Sequence, residues 1–228
     1  MSTVDLAVTP LRDLNAALHK LNEKTNDTHW EILNPLGRHA IAVGLDAPVT
    51  VEIDGHVGYY CGGMNQQAKI LITGNAGVGV GENMMSGEIH IKGDASQAAG
   101  ATGCGGFLVI EGNASARCGI SMKGIDIVVK GSIGPMSAFM AQAGNLVVLG
   151  DAGEALGDSI YEARLFVRGS VKSLGADCIE KNPTDEERET LAAILKRADC
   201  KEVSAEDFRL YGSARNLYNF HVDNVNSY

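Results

Sequence analysis

Between Thr50 and Arg168, short stretches of alternating apolar and polar residues recur at one fixed spacing. The apolar members are Val51 and Ile53, Ile70 and Ile72, Ile89 and Ile91, Leu108 and Ile110, Ile127 and Val129, Leu146 and Val148, and Leu165 and Val167. Two residues after each pair stands a glycine, at Gly55, Gly74, Gly93, Gly112, Gly131, Gly150 and Gly169, a spacing of 19 residues with no insertion or deletion. Side chains alternate faces along a strand, so the aliphatic pairs share one face. The mixed column Thr50, Lys69, Glu88, Phe107, Asp126, Asn145 and Arg164 falls on the other. Each unit therefore predicts one strand with an inward apolar face, and the fixed period predicts a repeat array.

A 19-residue unit is too short for a strand, a crossover helix and a return. Small-residue turns follow the strands, as in Gly74-Asn75-Ala76, Gly93-Asp94-Ala95, Gly112-Asn113-Ala114 and Gly150-Asp151-Ala152. A second glycine recurs seven residues after the first at Gly62, Gly81, Gly100, Gly119 and Gly157, with Ala138 and Ala176 in the other two units. A third closes several units, as Gly87, Gly106 and Gly144. Strand segments separated by corners predict an all-β core, a right-handed, single-stranded parallel β-helix of about seven 19-residue coils with N- and C-terminal helical caps. Two inward aliphatics contribute roughly 3–6 kcal/mol when buried, whereas ordering 19 backbones costs on the order of 20–40 kcal/mol. A single coil cannot fold alone, but a stack extends one apolar column through every coil.

The flanks read differently. Val4, Leu6 and Val8 alternate as a short strand, and Thr9 with Pro10 suits an N-cap and first helical residue. Leu11, Leu14, Leu18 and Leu21 then predict a helix over about Pro10 to Leu21. The pattern loosens between Asn22 and Pro48, where Trp30, Ile32 and Leu33 dock a connector on the core and Gly37 with Ala40 to Val43 resembles an imperfect coil. Beyond Arg168 the period decays through Leu174 and Gly175. Thr184 and Glu187 stand at capping-box spacing before Leu191, Ile194 and Leu195, predicting a helix from Asp185 to Arg197. Ser204 and Asp207 suggest a further helical turn, and Tyr211, Tyr218, Phe220 and Tyr228 mark an aromatic tail that straps the rod or enters another subunit. The expected organisation is a capping segment at 1–48, the β-helix at 49–182, and a C-terminal helix with tail at 183–228.

Composition narrows the function classes. The 28 glycines among 228 residues exceed the roughly 7% background, and in a chain that is 45% hydrophobic they speak for turns rather than disorder. A net charge of −9, from 19 basic and 28 acidic residues, argues against a nucleic-acid partner. No apolar run reaches the roughly 20 residues of a bilayer span, and the N-terminus lacks the pattern of a signal peptide. The expectation is a cytoplasmic chain without a membrane partner. Cys61, Cys104, Cys118, Cys178 and Cys200 are odd in number and widely spaced, which favours reduced thiols.

Candidate chemistry is sparse. Gly77-Val78-Gly79-Val80-Gly81 invites a phosphate-loop reading, but Glu82 holds the last glycine position of a dinucleotide fingerprint and no helix pattern follows. His19, His29, His39, His56, His90 and His221 show no metal-ligand spacing. His90 falls in an outward column, and Glu186 with Glu187 suits a helix N-terminus. No nucleophile elbow and no cysteine beside a base are recognisable. No catalytic, cofactor-binding or metal residue is expected on the chain. Met64, Met84, Met85, Met122, Met136 and Met140, with Tyr59, Tyr60 and Phe139, occupy the second halves of coils and serve either as core filling or as an apolar docking strip.

From Pro48 to Ala176 the coils around Gly74-Asn75-Ala76-Gly77-Val78-Gly79-Val80-Gly81-Glu82-Asn83-Met84, Gly93-Asp94-Ala95 and Gly112-Asn113-Ala114 resemble the GXGXG domain. That domain ends the glutamate synthase large subunit and also forms the C subunit of formylmethanofuran dehydrogenase. With its own terminal helices, the chain is most similar to the free-standing β-helix subunit of N-methylglutamate synthase, the methylamine–glutamate N-methyltransferase. The resemblance implies a hetero-oligomer with a class II glutamine-amidotransferase-like subunit and a core subunit that carries FMN and an iron–sulfur cluster. The implied reaction converts L-glutamate and methylamine to N-methyl-L-glutamate and ammonia, with this chain as a non-catalytic brace. Ser2 follows Met1 where an amidotransferase needs cysteine. A formylmethanofuran dehydrogenase or formyltransferase/hydrolase complex is the alternative. An autonomous polysaccharide enzyme would need a row of outward aromatics and carboxylates, which the mixed columns do not supply.

Overall fold

The structure, a computed structural model, describes residues 1–217. It is a β-solenoid of about seven turns with 19 residues per coil and two helices among the described residues. β1 (Ser2–Asp5), β2 (His29–Leu33), β3 (Thr50–Asp54), β4 (Lys69–Ile72), β5 (Glu88–Ile91), β6 (Phe107–Ile110), β7 (Lys123–Val129), β8 (Ala143–Val148) and β9 (Arg164–Val167) follow one another in a single parallel sheet. Registers such as Val51↔Ile70, Ile70↔Ile89 and Leu146↔Leu165 stack equivalent residues of successive coils. The fourteen aliphatics of the inward columns are all buried, forming one core from end to end. Branched side chains suit this pleated, half-enclosed surface.

The key glycines owe their place to coil stacking. A Cβ on Gly112 would lie 2.3 Å from Asp94 Oδ1 and 2.9 Å from the Gly93 carbonyl oxygen, and Gly93 and Gly131 are equally crowded. Left-handed corners fall elsewhere in the coil, at alternate residues: Tyr60, Gly62 and Met64, then Gly79, Gly81 and Asn83, and so on to Ala155, Gly157 and Ser159. The middle member faces the core, where a Cβ on Gly100 would lie 2.5 Å from Ile127 Cδ1. Glycine serves there on both counts, conformation and space.

The N-terminal flank is more regular than its sequence suggests. β1 stops at Asp5, whose carboxylate accepts the Ala7 N–H, and Val8 is exposed. α1 (Leu11–Leu18) is shorter than expected: Pro10 holds the N-cap position without a side-chain cap, and the chain turns away after Leu18. Thr9 therefore does not cap the helix. Leu14 and Leu18 close the end of the core. The supposed connector contains β2 and a full opening coil, in which Ala40, Ala42 and Gly44 repeat the three left-handed positions.

The C-terminal flank departs further. The last coil is one residue short, since Leu156 bridges Leu174 and Gly175 N–H bonds the Leu156 carbonyl. Gly175, not Ala176, thus follows Gly157 in the stack. β10 (Cys178–Lys181), α2 (Asp185–Arg197), a 3₁₀ turn at Ala205–Asp207 and β11 (Arg209–Ser213) come next. The Thr184–Glu187 capping box and the Ser204–Asp207 turn both form as the spacing predicts. β11 runs antiparallel between β9 and β10, ending the parallel stack. Tyr211, expected in a strapping tail, is a buried strand residue, while Tyr218, Phe220 and Tyr228 lie outside the described residues.

Half of the outward strand face is also buried. Phe107, Val109, Val128, Val147 and Phe166 form a second core with Leu191, Ile194 and Leu195 of α2 and with Phe208 and Leu210. The Arg197 guanidinium sits 4.1 Å from the Phe107 ring centroid and bonds Glu88 Oε1 at 2.8 Å, fixing the helix end over β5 and β6.

Candidate functional site

The residue after each key glycine builds a side-chain ladder. Asn75 N–H donates to His56 Nδ1 at 2.8 Å, Asp94 N–H to Asn75 Oδ1 at 2.9 Å and Asn113 N–H to Asp94 Oδ1 at 2.7 Å. Ser132, Asp151 and Ser170 continue it, each N–H bonding the side chain 19 residues earlier. Short polar side chains are required because each must reach the backbone one coil away. The Gly-Asn-Ala and Gly-Asp-Ala motifs are consumed by this ladder, as Gly77 is by its stacking on Gly58. The stretch from Gly77 to Gly81 is a coil corner with Gly79 and Gly81 left-handed, and no helix follows it.

On the open part of the sheet, Glu111 receives Lys130 at 2.9 Å, Lys92 at 3.9 Å and His90. Burial pushes the Glu111 carboxyl upward, but the Lys130 and His90 bonds and charges outweigh it and hold it below its ordinary value. His90 Nε2 thus lies in hydrogen-bond contact with Glu111 Oε1. Glu187 belongs to the capping box. All five cysteines are free, and burial pushes Cys61 and Cys118 up to about 12. Thiols so protonated are poor nucleophiles. Among the described residues, no three His, Cys, Asp or Glu side chains form a metal-ligating group, and no helix is long and apolar enough to cross a membrane.

The methionine and aromatic strip divides in two. Met84 and Met122 are fully buried core residues, so the docking reading does not hold for them. Tyr59 (50% exposed), Met64, Met85 and Met140 are exposed, while Tyr60, Met136 and Phe139 are half-buried. Met85 lies around the next corner. Of the remaining six, Tyr60, Met64, Met136 and Met140 stand on the left-handed positions, with Tyr59, Phe139 and exposed Val78 next to such positions in the chain. Tyr59 and Tyr60 stack with centroids 5.5 Å apart, and Asn83 Nδ2 donates to the Tyr60 hydroxyl at 3.3 Å. Along the same side runs a groove of about 510 Å³ that includes Gln97, Ala116, Arg117, Pro135 and Met136. Composition had flagged the methionines, but the contribution of small Ala116 and of Arg117 carried no signal until the coils were stacked.

A second, polar cleft of about 390 Å³ lies where the final coils meet β10 and β11, lined by Glu162, Arg164, Lys181, Tyr211 and Arg215 among others. Arg215 bonds Glu162 Oε2 at 2.9 Å across it. Such polar, ion-paired walls suit a joint between elements more than a reaction site.

No family model matches the chain. It is 64% identical over 228 residues to Protein GlxC of Rhizobium meliloti (strain 1021), covering 100% of both chains. An identity of that extent, which takes in the ends as well as the repeats, places the chain in the family of Protein GlxC.

Proposed function

We propose that the chain is a non-catalytic β-helix subunit of a glutamate-synthase-type complex, specifically an N-methylglutamate synthase. Its partners are a class II glutamine-amidotransferase-like chain and a core chain carrying FMN and an iron–sulfur cluster. In that assembly glutamate and methylamine become N-methylglutamate and ammonia on the partner chains. The observation that carries this reading is the use of the GXGXG residues themselves: glycines, asparagines and aspartates are spent on coil contacts and the ladder, leaving an exposed apolar side as the chain's most distinctive surface. Apolar surface rimmed by polar groups is the mark of a protein-binding face. The repeat motifs shared with the GXGXG domain support the enzyme class.

The test is reconstitution with 15N-methylamine and mass detection of labelled N-methylglutamate. The isolated chain is expected to form none and the complete complex to form it, with omission of this chain lowering the rate at least tenfold. Product from the isolated chain, or full activity without it, would contradict the proposal.

A further inference from the structure

The groove at Arg117 combines an unpaired charge, small residues and exposed apolar side chains on a rigid support. Its backbone is fixed: Arg117 N–H bonds the Pro135 carbonyl at 3.0 Å, Met136 N–H bonds that of Glu154 at 2.8 Å, and Ala98 N–H that of Ala116 at 3.0 Å. These donors and acceptors are used between coils, so recognition here proceeds through side chains rather than by adding a strand. Preformed surfaces lose little entropy on docking.

Charge is the second observation. Arg38, Arg168, Arg188, Arg197, Arg209 and Arg215 all have a carboxylate or carbonyl partner. Among the described residues the guanidinium groups of Arg12, Arg117 and Arg164 have none, and of these three Arg117 alone lines the apolar groove, in a chain with 28 acidic residues against 19 basic. Glu154, on the groove wall, is already paired with Lys172 at 2.8 Å. An arginine is well suited to receive a carboxylate in two parallel bonds.

We infer that this side of the rod docks a different protein chain, which places a carboxylate on Arg117 and an apolar side chain against Ala116, Pro135 and Met136. The exposed apolar residues reach from Tyr59 and Met64 to Met140, four coil intervals or roughly 19 Å at about 4.8 Å each, and occupy two separate columns of the coil. A single extended segment follows one column rather than both, whereas a folded chain spans both. A second copy offers Glu82 as the opposite charge on this side, but that carboxylate is folded in, its Oε2 2.6 Å from where a Cβ on Gly79 would stand. The inference rests on the chain being a subunit of a larger assembly and not on which reaction the assembly performs.

A photoreactive benzoylphenylalanine in place of Gln97, in the full chain expressed in its own cells, tests it by mass mapping of adducts. The expected adduct is a peptide of one other protein with Asp or Glu beside apolar residues. Arg117→Glu should cut its yield at least tenfold and release that protein at moderate salt, Arg117→Lys should retain part of both, and Arg12→Glu at the far end should change nothing. An adduct to residues 218–228, an adduct to a second copy, no adduct, or an unaffected Arg117→Glu variant would overturn the inference. Thermal melts of the variants separate misfolding from lost docking, and the Gln97 adduct in otherwise wild-type chain does not depend on them. If the assembly forms but the adduct maps to another surface, this inference fails and the subunit reading stands; a chain that purifies alone removes both.

Discussion

At the residue scale, the spacing of the coils is set by what lies between them. Gly112 has no side chain because the Gly93 carbonyl carbon would be 3.0 Å from its Cβ, and backbone cannot rotate aside as a side chain can. Gly112→Val should cost about 3 kcal/mol, a fall of roughly 6–12 °C in Tm, readable in a thermal melt. An unchanged Tm would show that the coils can separate locally. The ladder makes a pH prediction. The backbone and hydroxyl bonds from Ser170 hold the Asp151 carboxyl below its ordinary value. A carboxyl lowered on folding stabilises above its unfolded pKa, near 3.9, and that contribution disappears as pH falls through the folded value. Asp151→Asn should therefore flatten the loss of Tm between about pH 5 and 3, relative to the wild type. The glycine period was legible in the sequence, but its cause was not, because the contact lies a coil away. The left-handed residues at Tyr60, Arg117 and Met136 were invisible, since such side chains have no compositional link to that conformation.

At the element scale, strands and caps follow from local chemistry while coverage follows from long-range packing. The seven repeated strands and α2 were legible because alternation and the Thr184–Glu187 box are local signals. β2 was hidden because Trp30 and Ile32 stand 21 residues before their partners Val51 and Ile53, off the 19-residue period. β11 was hidden because its partners are antiparallel and belong to no repeat. The second core was half legible: outward residues turn apolar at Val109, Val128, Val147 and Phe166, just where α2 covers them. Leu195→Ala should destabilise by about 2–4 kcal/mol and raise hydrogen exchange in β6 to β8. Thr184→Ala should cost about 1 kcal/mol and fray only the first turn of α2, which chemical denaturation with exchange mapping would resolve. Unchanged exchange in β6 to β8 of the Leu195→Ala variant would contradict the assignment of α2 as a cover for one half.

At the scale of the whole molecule, the rod is closed by α1 at one end and by β11 and β10 at the other, with the inward core running between them. Its repeat motifs are used to hold coil to coil, and the surface we propose for partners is the side bearing Tyr59, Val78, Arg117 and Met140. No catalytic constellation was legible in the sequence, and the residues that once suggested one are those of the ladder and corners. A scaffold of the kind proposed would act through what it holds in place. The most direct measurement is the mass and composition of the assembly purified under native conditions through a tag on this chain. The account predicts a hetero-oligomer containing a flavin- and iron–sulfur-bearing chain and a glutaminase-type chain, with no turnover by this chain alone. A free monomer or homo-oligomer that carries out catalysis unaided would contradict it.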